Sequence, residues 1–163
     1  DHNYIKGVNG KYELFNKPGQ YSCKGVSIKG IPTYHDQSEG AKRGSNIVFC
    51  LGVDGINICH CGDLGHVLSD EQVAEIGSVD VLLLPVGGTF TVDAREAYEV
   101  FKQLKPKVTI PMHFQTDALK FGIDGVDKFL DIAGGGNRAG KQEIEIKKEE
   151  LDEYPSIIVL EYK

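Results

Sequence analysis

The sequence predicts an α/β fold, a mixed sheet with helices on its outer face. Three observations carry that prediction. Residues 79–84 and 108–112 are short apolar runs, the pattern of strands covered on both faces. Between them Ala97, Val100, Phe101 and Leu104 recur at helical spacing. Upstream, the apolar runs 46–51 and 56–61 are joined through Val53-Asp54-Gly55, and Asp-Gly is a strong hairpin signal. Hairpin strands followed by strand, helix, strand and helix give a mixed sheet.

Taken in chain order, residues 13–15 read as a short strand ending at Lys17-Pro18-Gly19. Residues 25–35 alternate Val26, Ile28 and Ile31 with polar positions and read as a second strand. Residues 37–45 are polar and Gly-containing, hence a loop, and the Asp54-Gly55 hairpin follows. Ser69-Asp70-Glu71-Gln72 is a capping box that opens a short helix through Ile76, and Gly77 stops it. Asp93-Ala94-Arg95-Glu96 caps a second helix, which Pro106 ends. Residues 126–132 fit a third helix, Gly134-Gly135-Gly136 a flexible break, and 143–146 and 156–162 two final strands. The early strands look half-buried and need a partner sheet, which too few upstream strands can supply.

A length of 163 residues fits one domain, 1–163, with a sizeable core. The net charge of -6 argues against a general nucleic-acid or anionic-membrane surface, although a bound dication would reverse the field locally. No run is long enough to cross a membrane. The cysteines are Cys23, Cys50, Cys59 and Cys61; all four are expected to be reduced and mostly buried, as in a cytoplasmic protein.

The histidines suggest chemistry. His35, His60 and His113 each follow or end an apolar run, where a strand delivers a side chain to the rim of a sheet, and Asp63 stands just past one such run. Asp1 and His2 open the chain, and His66 lies in the loop after Asp63. Imidazoles and carboxylates gathered from several strand ends build hydrolytic metal sites. Against this, a lone strand-end His is more often a hydrogen-bonded residue, and the Asp of Gly-Asp-Leu-Gly is often a turn residue. His60, within its strand, reads as a core or supporting residue. His66 either faces substrate as a catalytic group or caps the helix that follows.

Three ordered motifs then resemble a known family. Cys61-Gly62-Asp63-Leu64-Gly65-His66, Leu84-Pro85-Val86-Gly87-Gly88-Thr89 and Ile110-Pro111-Met112-His113 are similar to those of the metallo-β-lactamase superfamily. More narrowly, they resemble its branch of Zn-dependent hydrolases that includes the ascorbate-6-phosphate lactonases. The resemblance covers essentially the whole chain and implies an αββα sandwich with a dinuclear site on the edge of its two sheets. Of the family's His-x-His-x-Asp-His signature only the last two residues are present, as Asp1-His2. The chain is therefore expected to be N-terminally truncated, a C-terminal portion whose partner is the missing segment, as a cleaved fragment or second chain.

Carried over residue by residue, the resemblance implies that His35 and the missing histidines hold one metal, and Asp1, His2 and His113 the other, with Asp63 bridging. Asp1 would also orient the nucleophilic water, Asp36 would support His35, and Gly87, Gly88 and Thr89 would form a loop close to substrate. The implied cofactor is a pair of divalent ions, zinc in the first instance, with manganese or iron as alternatives.

The function expected is a cytoplasmic hydrolase in which metal-bound hydroxide attacks a small ester, lactone or phosphoester. Short loops favour a small-molecule substrate, and a homo-oligomer is compatible with the uncovered sheet. One alternative is a metal-dependent phosphodiesterase or nuclease, disfavoured by the acidic charge. Another is a non-catalytic binding module that kept the fold.

Overall fold

The structure, a computed structural model, describes residues 5–120 and 122–162. Six strands form one sheet in sequence order: β1 (Gly19–Cys23), β2 (Val26–Tyr34), β3 (Ser45–Val53), β4 (Ile56–His60), β5 (Val81–Pro85) and β6 (Val108–Met112). β1 to β4 run as an antiparallel meander, while β4, β5 and β6 are parallel. A short parallel pair, β7 (Asn137–Arg138) and β8 (Ile158–Val159), forms a second, two-stranded sheet, tied to the first by an isolated bridge between Ile157 and Thr109 of β6. The helices are α1 (Asp70–Ile76), α2 (Ala94–Leu104) and α3 (Asp127–Ala133).

Local chemistry explains most boundaries. Asp54 and Gly55 take φ of 50° and 76°, as a two-residue hairpin turn whose twist suits the flanking strands requires. Ser69 and Asp93 each close a full capping box, on α1 and α2 respectively. α2 stops where Lys105 turns left-handed (φ 46°) ahead of Pro106.

Register decides which residues are core. Ile31, Val48, Cys59, Leu82 and Leu84 share one face with Ala97 and Val100 of α2 and Phe129 of α3, forming the main hydrophobic cluster. On the opposite face Ile56, Val81 and Leu151 form a smaller cluster, joined by half-buried Ile58, Leu83, Ile110 and Ile146. Among the described residues the fold is thus one sheet with its helices gathered on a shared core.

The expected strand at 13–15 is absent, and β1 lies just beyond it, in Gly19–Cys23. This strand is mostly exposed and polar and has no apolar alternation to announce it; its pairing with β2 comes from the turn at Lys24 and Gly25, both at positive φ. Residues 143–146 also form no strand: the segment runs over the second face, where Ile146 packs. Of 156–162 only Ile158–Val159 is paired as a strand. The glycine triplet is more than a break, since Gly134 caps α3 in the left-handed region and a Cβ at Gly136 would collide with Leu130.

The topology sets up the site. β2 and β4 are both antiparallel to β3, and β5 and β6 are parallel to β4. The C-terminal ends of these four strands therefore meet at one rim, from which His35, Asp63, Gly87 and His113 follow within three residues of a strand end.

Candidate metal centre

His35 is placed by a tie across the rim. The Gly65 amide donates to the Tyr34 carbonyl at 2.9 Å, and the Tyr34 amide donates to His66 Nε2 at 3.1 Å. A Cβ at Gly65 would overlap the His35 backbone, so glycine is what permits this approach. Asp63 is placed by Asn46, whose Oδ1 accepts from the Asp63 amide at 3.0 Å. The amide group of the same Asn46 donates to Cys61 O (2.9 Å) and Thr33 Oγ1 (2.8 Å), binding β2, β3 and the loop after β4 together. Sequence reading passed over Asn46; a polar residue opening an apolar strand was the only signal it offered.

His35 and Asp63 line one cleft of about 500 Å³, together with Arg43, Asn46, His60 and the apolar side chains of Ile47 and Phe49. His60 therefore faces the site, which its placement within a strand had concealed. Its Nδ1 accepts from the Gly62 amide at 3.0 Å, leaving Nε2 to carry the proton of the neutral ring. Burial pushes its pKa below the usual histidine value, and the nearby Asp63 charge opposes that only in part.

His113 sits at the same rim under strain. Its φ is 50°, and the Gly87 backbone packs so closely against its carbonyl that a Cβ there would collide. Its Nδ1 is buried with no hydrogen-bond partner. A buried imidazole nitrogen without a partner is costly, and coordination of a metal ion is one way to satisfy it. The chemistry of the donors fits as well: imidazole and carboxylate are ordinary ligands of zinc, manganese and iron. Among the described residues no three His, Cys, Asp or Glu side chains come close enough to hold an ion. The two remaining expected ligands, Asp1 and His2, lie outside the described residues.

Two supporting residues, His66 and Asp36, make contacts other than those expected. His66 engages backbone with both ring nitrogens, Nε2 accepting from Tyr34 and Nδ1 lying 2.8 Å from the Val67 carbonyl. Ser69, not His66, caps α1. Of the two roles left open for His66, helix capping is therefore taken by Ser69, while His66 straps β2 to the following loop. Asp36 does not reach back to His35. Its carboxylate accepts from the amides of Ser38, Gly40, Lys42 and Arg43, at 2.7, 3.1, 3.0 and 2.7 Å. Burial works to raise its pKa, but these amides outweigh it and hold the carboxyl below its usual range. The Gly87–Thr89 loop does lie at the rim, with Gly88 and Thr89 both left-handed (φ 65° and 61°).

All four cysteines are free, as expected. Cys59 and Cys61 flank His60 because both lie in the main core cluster on the helix side of the sheet, where Cys59 pairs with Cys50 of β3. The Cys59 contact and burial push the Cys50 thiol up. For Cys59 the contact with Cys50 acts downward, but Cys61 and burial together drive its thiol up. These are inert thiols.

The profile of the β-lactamase superfamily domain matches residues 1–113. The chain belongs to this superfamily. A metal-dependent hydrolase (UPF0173) from Carboxydothermus hydrogenoformans is 35% identical over 118 residues, covering 70% of this chain and 52% of that protein. A relative of the same description from Pyrococcus furiosus is 42% identical over 94 residues, covering 56% of this chain and 41% of its own. The chain thus spans about half the length of the curated relatives it matches. Among solved structures, a candidate Zn-dependent hydrolase of the metallo-β-lactamase superfamily from Thermotoga maritima superposes with a TM-score of 0.80 at 42% identity, covering 98% of this chain and 77% of that one. The α/β architecture expected for the superfamily is therefore the architecture found. These matches reach the superfamily and not the ascorbate-6-phosphate lactonase branch. No helix among the described residues is long and apolar enough to cross a membrane.

Proposed function

We propose that this superfamily member is a divalent-metal-dependent hydrolase acting on a small ester, lactone or phosphoester. The observation that carries the reading is the rim itself. His35 and Asp63 share a cleft there, and the strained His113 presents a buried nitrogen with no partner. Relatives described as metal-dependent hydrolases support it.

In this reading His35, Asp63 and His113 would hold the divalent ions, with Asp1 and His2, which lie outside the described residues, as further ligands. Bound there, two ions supply Lewis acidity and a water that deprotonates near neutral pH. The chain's own residues do the rest. Asp1 would orient the attacking water. His60, neutral at physiological pH and protonated on Nε2, offers a hydrogen bond into the cleft. Ile47 and Phe49 form an apolar wall that limits water. A cleft of about 500 Å³ suits a small molecule better than a polymer.

Zinc is the first choice of metal, and the four free thiols support a cytoplasmic setting. The second sheet face, with its half-buried Ile58, Leu83 and Ile110, is proposed to be covered by a further segment, since the matched region is about half of the relatives' length.

The test is metal content and turnover together. Protein prepared with zinc, manganese or iron should bind divalent metal, and one of the ester, lactone or phosphoester classes should be hydrolysed. Asp63→Asn and His113→Ala should each lower kcat by roughly 100-fold or more. Protein that binds no metal and turns over none of the three classes would overturn the reading.

A further inference from the structure

The loop between β2 and β3 is built in a way that metal binding does not explain. Asp36, 5% exposed, folds residues 37–43 around its carboxylate through four backbone amides, the last of them from Arg43. That arrangement fixes the Arg43 backbone beside the cleft. The side chain is then held from the far side of the rim. Its Nη2 donates to the Thr89 carbonyl at 2.9 Å, and the guanidinium lies 5.5 Å from the centre of the Phe90 ring. Thr89 presents that carbonyl from a left-handed backbone (φ 61°), a conformation that costs energy in a residue with a branched Cβ.

Arg43 lines the cleft that contains His35, His60 and Asp63. It also lines a neighbouring polar cleft of about 260 Å³ with Thr89 and Glu96. Yet none of the ion pairs among the described residues involves Arg43. Glu39, the carboxylate nearest to it in the chain, forms no ion pair with it among the described residues, and Asp36 is saturated by backbone amides. Glu96 accepts from Gln37 and from the Asp93 amide. A guanidinium has five N–H donors, and among the described residues only one is committed. In a chain of net charge -6, a cation anchored at two points but unpaired with any described acid is set up to receive an anion from outside.

We infer that Arg43, held between the Asp36 loop and Thr89-Phe90, binds an anionic group of the substrate, a carboxylate or a phosphate, beside the bond cleaved at the metal rim. The inference deepens the hydrolase reading and rests on it for the word substrate. Arg43 reads specificity: it favours molecules that carry a fixed negative charge away from the scissile bond. A planar fork matches carboxylate and phosphate oxygens alike, so the two share one recognition chemistry.

Two measurements separate this inference from the hydrolase reading. In the first, inorganic phosphate and acetate are titrated into metal-loaded wild-type protein, Arg43→Gln and Arg43→Lys, with affinity read by calorimetry. Arg43→Gln should weaken the bound anion by at least tenfold and Arg43→Lys by less, with thermal midpoints close to wild type because the side chain is exposed. Phosphate bound more tightly than acetate assigns the phosphate source, and the reverse assigns the carboxylate. Equal affinity in wild type and Arg43→Gln overturns the inference, whether or not the protein is a hydrolase. In the second, kcat/KM is compared for ester pairs that differ only by a remote carboxylate or phosphate. Wild type should prefer the charged member about tenfold or more, mainly through KM, and Arg43→Gln should erase the preference. Turnover without any charge preference also overturns the inference while leaving the hydrolase reading standing. Anion binding lost in Arg43→Gln without turnover of any ester does the opposite.

Discussion

The two faces of the sheet are finished to different degrees. On the helix side Leu82 is fully buried among Leu84, Val100 and Phe129. One residue along β5, Leu83 points the other way and is only half-buried, with Ile58 and Ile110 beside it and the 144–151 segment as partial cover. The helix side is therefore where this chain obtains its stability. The other side carries the cleft, the rim residues and an apolar surface that further sequence can cover. The candidate site lies where the packing is thinner, as a site that must stay open requires.

The sharpest way to break that comparison is to cut both neighbours. Leu82→Ala should cost about 3 kcal/mol, and Leu83→Ala about 1 kcal/mol, in urea-denaturation free energy. Equal losses would mean that the two faces are equally packed. If a longer form of the protein brings strands onto the second face, the Leu83→Ala loss should rise toward that of Leu82→Ala.

Metal comes next. Zinc at about 100 times its Kd should stabilise the protein by about 2.7 kcal/mol, read as a rise in thermal midpoint. His113→Ala should remove most of that rise. A rise unaffected by the substitution would place the ion elsewhere.

A smaller effect concerns the Asp36 loop. Asp36→Ala should lower the thermal midpoint and speed hydrogen exchange at the Ser38, Gly40, Lys42 and Arg43 amides, while the amides of β5 and β6 keep their protection. Its pH dependence has a definite sign. The native carboxyl titrates below its ordinary range, so its contribution is present above about pH 4 and is lost as the pH falls through the depressed native value.

The smallest effect is chemical. Cys50 and Cys59 have raised pKa values, so their neutral thiols persist in the native protein at pH 8.5, where a free cysteine is about half ionised. Alkylation followed by mass spectrometry should mark Cys23 first and Cys50 and Cys59 only on unfolding. Their stabilising effect is present below the ordinary thiol range and is lost as the pH rises above it.

What could be read from residues alone was whatever local physics sets. The hairpin at Asp54-Gly55, the capping boxes at Ser69 and Asp93, the stop at Pro106 and the buried β5 and β6 follow from turn geometry, hydrogen-bond capping and apolar runs, all of which act within a few residues. His35, Asp63 and His113 could be selected because each follows a strand end, and strand ends are locally legible. Tertiary structure decided the rest. β1 is polar and exists through its pairing with β2. Asn46 acts across three segments, and His66 spans two, so neither role has a local signature. Asp36 turned from a supporter of His35 into the organiser of a loop because four amides within its reach outbid one imidazole. Arg43 acquired its place only when that loop met the Thr89 turn, 46 residues away in sequence. Contacts over such separations depend on how the strands are ordered and which way they face, and those are properties of the assembled sheet rather than of any stretch of chain.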